Sequence, residues 1–502
     1  MLETEIKLRL PAAAYDAIRR HPTLSHADPE DARHEVTTYY DTPTLDLARQ
    51  GVSLRIRTID GHRVQTVKAA DHHSVAAQRN EWEQPVETDS PDLDALAGTP
   101  AAQALHTTDA ADLQPAFTTE IYRVTRRLRV DGETLIETAF DQGVIAAGAN
   151  TEPVSEFELE LKHGNPAAVY RLAIALLSAT PMAIESSSKA ERGMRLRSGE
   201  HPQAVKAAEL NFAPDVPTAE AFVLIIRSIL SHIMANLAAA RAGDVEGVHQ
   251  LRIAIRRMRA ALVLFRPLLQ RETAAGLGAE LRRAGQVLGH ARDWDVFLPG
   301  TLTAAAKHAA QPDWLDLLRT QAELRRAAAH SDLRQELDGP AFTGLLLGIA
   351  GWIEDGAADS AVLGDERLRH PVAEIGPELI GRLARKVASR GRHHDDASDK
   401  ALHELRKSIK KLRYGFEFFA PLFPGKRVRA AVDACKDLQD LLGHINDAAV
   451  TPDLARTLTK GRTELAPAVG ALAAWAEKRS QKARRRVPKA WRKLRETEAF
   501  QH

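Results

Sequence analysis

Cysteine is all but missing from this chain: Cys435 stands alone among 502 residues. One thiol forms no intrachain disulfide and no Cys-based zinc centre, so a disulfide scaffold and a zinc ribbon are both excluded. Aromatic residues make up only 5% of the chain. That leaves few of the stacking platforms that single-stranded nucleic acids favour, and no nucleic-acid motif is present. Long apolar runs are scarce as well. The longest nearly uncharged stretch, Phe342 to Ile353, is too short to cross a bilayer. Met1-Leu2-Glu3-Thr4-Glu5 is acidic with no apolar segment behind it, unlike a secretory signal. These absences predict a cytoplasmic protein with neither a membrane nor a nucleic acid as partner.

What the chain does have is length, charge and an internal division. A single core seldom grows past about 250–300 residues, so at least two domains are expected. The net charge of +1 conceals an asymmetry. Residues 1–200 carry 21 Lys and Arg against 31 Asp and Glu, whereas residues 201–502 carry 47 against 36. The acidic half suits cations, metals included. The basic half suits anions: nucleic acid, an acidic membrane surface or polyphosphate.

The first half reads as strands with few helices. Glu3 to Leu10, Val52 to Arg57, Val64 to Lys68, Arg79 to Val86, Glu120 to Val130, Thr134 to Asp141 and Ser155 to Lys162 look extended. Asp60-Gly61, Asp131-Gly132 and Asp141-Gln142-Gly143 read as turns. Helices are expected near Pro11–Arg20 and Pro166–Ala179. Residues 201–217, with Pro202, Pro214 and Pro217, read as a linker. From 218 to 498 helical periodicity runs almost throughout. The predicted fold class is therefore α+β and multidomain, with an antiparallel β domain over 1–200 and an all-α domain over 218–498.

Several strands have one charged and one apolar face, because residues at i, i+2 and i+4 point the same way. Glu3, Glu5, Lys7 and Arg9 share a face, as do Arg55 and Arg57, Glu81 and Glu83, and Glu156, Glu158, Glu160 and Lys162. Such a sheet turns these faces to solvent, or it closes and lines a lumen with them. A charged lumen needs a ligand or tight internal pairing. Its carboxylates would hold Mg²⁺ or Mn²⁺ and its cations phosphate oxygens, which is equipment for phosphoryl transfer. Asp141, before the third turn signal, reads equally as a turn cap or a functional carboxylate.

Glu3-Thr4-Glu5-Ile6-Lys7 matches the ExExK signature of the CYTH, or triphosphate tunnel metalloenzyme, superfamily. Arg55-x-Arg57, Lys68, Glu81-Trp82-Glu83, Arg123, Glu158-Leu159-Glu160-Leu161-Lys162 and Ser188-Lys189-Ala190-Glu191-Arg192-Gly193 follow in order. Residues 1 to about 200 thus resemble that family. The resemblance implies an eight-stranded antiparallel tunnel that hydrolyses a triphosphate with Mg²⁺ or Mn²⁺. It casts Glu3, Glu5, Lys7, Glu81 and Glu83 as catalytic. Glu3, Glu5, Glu158 and Glu160 become metal ligands, and Lys7, Arg55, Arg57, Lys68, Arg123, Arg127 and Lys189 become triphosphate ligands.

The helical half contains a repeat. Val248 to Arg259 aligns with Leu402 to Arg413 without a gap, and the same spacing carries Phe265 to Phe419, Pro267 to Pro421, Leu288-Gly289-His290 to Leu442-Gly443-His444, and Asp293 to Asp447. Two related units facing each other about a pseudo-twofold axis are expected. On each helix a basic stripe lies beside an apolar one: His249, Arg252, Arg256 and Arg259 in the first copy, His403, Arg406, Lys410 and Arg413 in the second. Either stripe alone suits a solvated face. Two facing each other would form a cationic groove for a long polyanion. His249 and His403 suit anion or helix-to-helix contacts better than a metal, which their cationic neighbours would repel. With His249-x-x-Arg252, His403-x-x-Arg406, Arg292-Asp293 and Asn446-Asp447 in place, this half resembles the CHAD domain, the conserved histidine α-helical domain. That resemblance implies two four-helix bundles that bind inorganic polyphosphate, at times on polyphosphate granules. The basic run Lys478 to Arg495 reads as a solvated helix end.

The expected activity is metal-dependent hydrolysis of inorganic triphosphate in the first domain, with polyphosphate bound by the second. A thiamine- or nucleoside-triphosphatase is the first alternative, and a non-catalytic polyphosphate-binding scaffold the second. Oligomeric state is left open.

Overall fold

The structure, a computed structural model, describes residues 4–71, 78–96, 102, 105, 110–306, 313–392, 394, 397–458 and 466–497. The chain divides into two compact units. One comprises 1–206, 230–250 and 335–354, and the other 207–229, 251–334 and 355–502.

Among the described residues of the first unit nine strands form one antiparallel sheet: β1 Thr4–Arg9, β2 Asp31–Asp41, β3 Val52–Ile59, β4 His62–Asp71, β5 Gln78–Val86, β6 Gln114–Val130, β7 Thr134–Ala147, β8 Asn150–His163 and β9 Ala183–Ile184. Their order is β5-β4-β3-β2-β6-β7-β8-β1-β9. Eight are long, as expected, and the ninth has two residues. Alternation drives the sheet. Ile6 and Leu8 of β1, Leu54 and Ile56 of β3, and Phe157 and Leu159 of β8 are buried, while the charged residues between them take the other face. Asp60-Gly61 and Asp131-Gly132 have positive φ at both positions, the geometry that two-residue hairpin turns require.

Two local expectations are corrected. Asp141-Gln142-Gly143 is not a turn, because β7 runs straight through it. Gly143 is there for clearance: a Cβ on it would lie 1.9 Å from the Glu120 carbonyl oxygen on β6. In addition, the sequence reading assigns no element to 31–41, where β2 lies between β3 and β6. The first four residues of β2 are exposed, which removes the alternation that marks a strand.

Residues 199–214 form no regular element but are held in place. Asn236 accepts the Val205 N–H through Oδ1 at 2.9 Å and donates to the Val205 carbonyl at 2.9 Å. The helical region follows the repeat closely. Helices begin at Thr218 and Val372, Val245 and Asp399, and Arg271 and Gly425, each pair 154 residues apart, while Asp313 and Ala466 begin the fourth pair. Two contacts join equivalent residues across the repeat. Pro217 bridges Pro371 in antiparallel fashion, and the Phe265 and Phe419 rings lie 5.7 Å apart. A residue touching its own repeat partner marks a local twofold axis. The Thr218–Arg241 helix is long and apolar enough to cross a membrane, and 67% of its apolar window is buried in the structure, as in a core helix.

Candidate functional site

A cavity of about 770 Å³ lies inside the curled sheet, and every one of the eight long strands contributes to its wall. Register explains how the wall is composed. Across β1, β8 and β7, Glu5 faces Glu160 and then Glu137, Lys7 faces Glu158 and then Ala139, and Arg9 faces Glu156 and then Asp141. On β6, Arg123 stands opposite Asp141 and Arg127 opposite Glu137. Ala139, the small residue beside Glu158, leaves room in the lumen. On the other side β3 supplies Arg55 and Arg57, β4 Lys68 and β5 Glu83.

Glu5, Lys7, Arg55, Arg57, Lys68, Glu83, Arg123, Arg127, Glu158, Glu160 and Lys189 are therefore brought to one lumen, although they lie as far apart in sequence as 5 and 189. Glu3 lies outside the described residues. Glu81 is described only by its strand position, opposite Lys68.

Lys189 comes from the first turn of the helix Lys189–Ser198. A capping box fixes that turn: Glu191 N–H donates to Ser188 Oγ at 3.1 Å, and Ser188 N–H donates to the Glu191 carboxylate at 2.6 Å. The Lys189 ammonium lies 2.7 Å from Asp141, 2.7 Å from Glu156 and 2.9 Å from Glu158. Those three carboxylates also have oxygens close enough to share a metal ion. Arg123 binds Asp141 through two nitrogens at 2.7 Å and also reaches Glu158. Arg192 pairs with Glu156 and with Glu152. Lys7 bridges Glu5 at 2.9 Å and Glu158 at 3.2 Å.

This network governs protonation. Burial opposes ionisation of Glu158, but Lys189, Lys7 and Arg123 outweigh it and hold the carboxyl well below its ordinary range. Asp141 is lowered in the same sense, burial being overcome by Lys189 and Arg123. Lys7 and Lys189 are raised despite burial, Lys7 by Glu158 and Glu5, Lys189 by Asp141, Glu158 and Glu156. All four groups stay charged at neutral pH.

Sequence reasoning missed Tyr39 and Glu35, because both lie on the unassigned β2. Tyr39 is buried, and its ring stacks on Phe117 at 4.3 Å. Burial raises its hydroxyl pKa, but Arg55, Arg57 and Lys189 reverse the sign and leave it lowered. Glu35 is also buried, with its carboxylate 3.5 Å from Arg57. Glu137 and Lys162 form a further group with Glu160: Lys162 lies 3.2 Å from Glu137 and 2.5 Å from Glu160. Asp141 is a mid-strand ion-pair partner, and no turn is present for it to cap.

The basic helices Val245–Phe265, from Leu251 onward, and Asp399–Phe418 come together in the second unit. Arg257 lies 3.6 Å from Glu417 and 5.3 Å over the Phe418 ring. Arg252 pairs with Asp293 at 3.3 Å, and His403 hydrogen-bonds Asn446. The repeated Leu-Gly-His has a steric basis. Arg252 lies 3.7 Å from the space a Cβ would take on Gly289, and Arg406 lies 3.3 Å from the same space on Gly443. Each glycine lets a guanidinium rest against the helix. Arg252, Arg256, Arg406 and Arg413 all lie near enough to act on the Lys410 amine, whereas Arg259 is turned toward Arg282 and Lys411. His249 is half-buried at the start of the first stripe.

Residues 1–194 match the CYTH domain family, and residues 224–456 match the CHAD domain family. The chain carries a CYTH domain followed by a CHAD domain. Over 163 residues it is 36% identical to an inorganic triphosphatase of Haemophilus influenzae, a match covering 32% of this chain and 45% of that protein. It thus spans less than half the length of that relative. An uncharacterized protein of Mycobacterium tuberculosis is 26% identical over 409 residues, covering 75% of this chain and 74% of the relative. The crystal structure of a CHAD domain from the plant Ricinus communis superposes with a TM-score of 0.53 at 26% identity, over 59% of this chain and 98% of that one.

Proposed function

We propose that the CYTH domain hydrolyses inorganic triphosphate and that the CHAD domain binds inorganic polyphosphate. The observation that carries the first half is the lumen itself. Six cations, Lys7, Arg55, Arg57, Lys68, Arg123 and Lys189, share one enclosed wall with the carboxylates Glu5, Glu83, Glu158 and Glu160. A triphosphate supplies the negative charge such a wall needs, and its linear chain suits a lumen better than a flat surface. The similarity to the inorganic triphosphatase of Haemophilus influenzae supports the same reading.

The chemistry needs positioning and charge neutralisation more than covalent participation. Arg55, Arg57 and Lys68 lie on the side opposite Glu5 and Glu160, and they would hold the phosphoryl oxygens. Lys189 and Arg123, fixed by Asp141, Glu156 and Glu158, would present pre-oriented positive charge without reorganising. A lumen carboxylate, Glu83 or Glu5, would orient a water. Its oxygen forms a bond to the terminal phosphorus while the bridging P–O bond breaks, giving phosphate and pyrophosphate.

The donor set also fits a hard divalent cation. Among the described residues it offers carboxylate oxygens and no thiolate or imidazole, as Mg²⁺ or Mn²⁺ prefers. Glu158, whose oxygens lie close enough to those of Asp141 and Glu156 to share an ion, would hold the metal together with Glu5 and Glu160, which line the same lumen. When bound, the ion would neutralise charge on the phosphoryl oxygens and restrict their orientation.

For the CHAD domain the supporting observation is the repeated basic stripe, five of whose cations gather in one unit. A linear polyanion would bind there mainly through charge, and polyphosphate binding would keep the chain at polyphosphate granules in the cytoplasm. Replacing Glu5 by Gln should abolish triphosphate turnover and leave polyphosphate binding intact. Replacing Arg406 and Lys410 together should do the reverse. Loss of both activities in either folded variant would show that the work is not divided this way.

A further inference from the structure

The basic cluster of the second unit contains an anomaly. Arg252 and Arg256 approach from the first basic helix, Arg406 and Arg413 from the second, and Lys410 lies among them. The arginines have compensating partners. Arg252 has Asp293 at 3.3 Å, Arg413 has Glu417 at 3.6 Å, Arg406 faces Asp447 and Asp440, and Arg256 lies near the Tyr414 hydroxyl. Among the described residues no hydrogen bond or ion pair reaches the Lys410 amine. The buried Nε atoms of Arg256, Arg406 and Arg413 also lack hydrogen-bond partners. The cluster thus concentrates positive charge with unused donors around one amine that no carboxylate compensates.

An arginine in such a place stays protonated, but a lysine does not have to. Burial, then Arg406, Arg256, Arg252 and Arg413, push the Lys410 amine down from its ordinary value to about 6. Near neutral pH the ligand-free site therefore holds four guanidinium groups around a mostly neutral amine. A dense polyanion reverses the field, and an ammonium then becomes the favoured form.

Resting on the polyphosphate reading above, we propose that this cluster binds its polyanion together with one proton, which the Lys410 amine takes up from solvent as R–NH₂ becomes R–NH₃⁺. Lys410 is then a specificity determinant. A ligand gains the extra charge only if its own charge density is high enough to restore the proton, so a phosphate chain is favoured over sparse or monovalent anions. By linkage, affinity for long-chain polyphosphate falls by about tenfold per pH unit where the free amine is neutral and the bound amine is charged.

Other groups near the cluster also titrate. His403 and His444 are lowered, chiefly by burial, and Asp293 is raised by burial and held back by Arg252. The test must separate Lys410 from these. Titration calorimetry of the full-length chain with long-chain polyphosphate, whose internal phosphoryl groups stay ionised, is run at pH 7.5 in two buffers of different ionisation enthalpy. Uptake of about one proton per binding event is expected for the unsubstituted chain, with little or none for Lys410→Arg and Lys410→Met. Lys410→Arg should also bind more tightly than the unsubstituted chain at pH 8, because its charge is permanent. Binding without proton uptake, or uptake that survives in both variants, would overturn the proposal and assign any uptake to the histidines. Absence of polyphosphate binding at every pH would overturn the underlying reading and the proposal with it.

Discussion

Replacing Glu158 by Gln tests the lumen network most severely, because one carboxylate serves three cations there: Lys7 at 3.2 Å, Lys189 at 2.9 Å and Arg123. Its side chain is 7% exposed, so water replaces little of what is lost. Removing one partner of a buried pair typically costs about 3–5 kcal/mol. Here each cation keeps another partner, Lys7 with Glu5, Arg123 with Asp141, and Lys189 with Asp141 and Glu156. The cost should therefore fall at the lower end, about 3 kcal/mol. For a unit of this size that corresponds to a melting shift of about 6–12 °C. Scanning calorimetry should show it in the transition assigned to the CYTH domain, with the CHAD transition unmoved. The pH dependence has a definite sign. The folded-state pKa of Glu158 is depressed, so its stabilisation is complete at neutral pH and is lost as pH falls below the ordinary carboxyl value through the folded one. The gap between the two proteins should therefore narrow on acidification below about pH 4.5. A variant that melts within a degree of the unsubstituted chain, or whose deficit widens in acid, would refute the network argument.

Three further outcomes follow from the same structure. A Cβ on Gly193 would lie 2.1 Å from the Phe117 ring that Tyr39 stacks on, so Gly193→Ala should lower the CYTH melting temperature and triphosphate turnover together, and Gly199→Ala, whose Cβ meets open space but whose φ of +72° strains the helix end, should lower the melting temperature by less and spare turnover. The folded-state pKa of Lys410 lies near 6 against 10.5 for the free side chain, so the unfolded chain binds the extra proton between those values and stability rises with pH there. Lys410→Met should accordingly stabilise the ligand-free chain, by an amount that grows as pH falls from 10 to about 6, as read by denaturant titration. Chelation with EDTA should stop triphosphate turnover and leave polyphosphate retention on a filter unchanged; loss of both would place a metal in the CHAD domain as well.

The readable parts of the sequence were those in which a period carries the information. Glu5 and Lys7, Arg55 and Arg57, and Glu158 and Glu160 alternate with buried Ile6, Leu54, Ile56, Phe157 and Leu159, so the charged face could be listed before the lumen was seen. The helical repeat was readable because its spacing is uniform, and the contact between Phe265 and Phe419 gives that spacing a physical basis. What failed was local chemistry overridden by neighbours. Asp141-Gln142-Gly143 has the composition of a turn, but Gly143 is needed where β7 passes the Glu120 carbonyl, and Asp141 is needed by Arg123 and Lys189. β2 escaped notice because its first residues are exposed and its strand character comes from pairing on both sides, and Tyr39 and Glu35 were lost with it. The altered amine of Lys410 could not be read from one helix, since two of the four arginines around it come from the other.

The most direct test of the central claim is phosphate release by the purified full-length chain with Mg²⁺ or Mn²⁺. Inorganic triphosphate, thiamine triphosphate, ATP and long-chain polyphosphate are compared side by side. The lumen described above predicts a strong preference for inorganic triphosphate, abolished by Glu5→Gln. Preference for thiamine triphosphate or ATP would move the substrate to an organic triphosphate. No turnover of any of them, with polyphosphate still bound, would contradict the account and leave a binding protein.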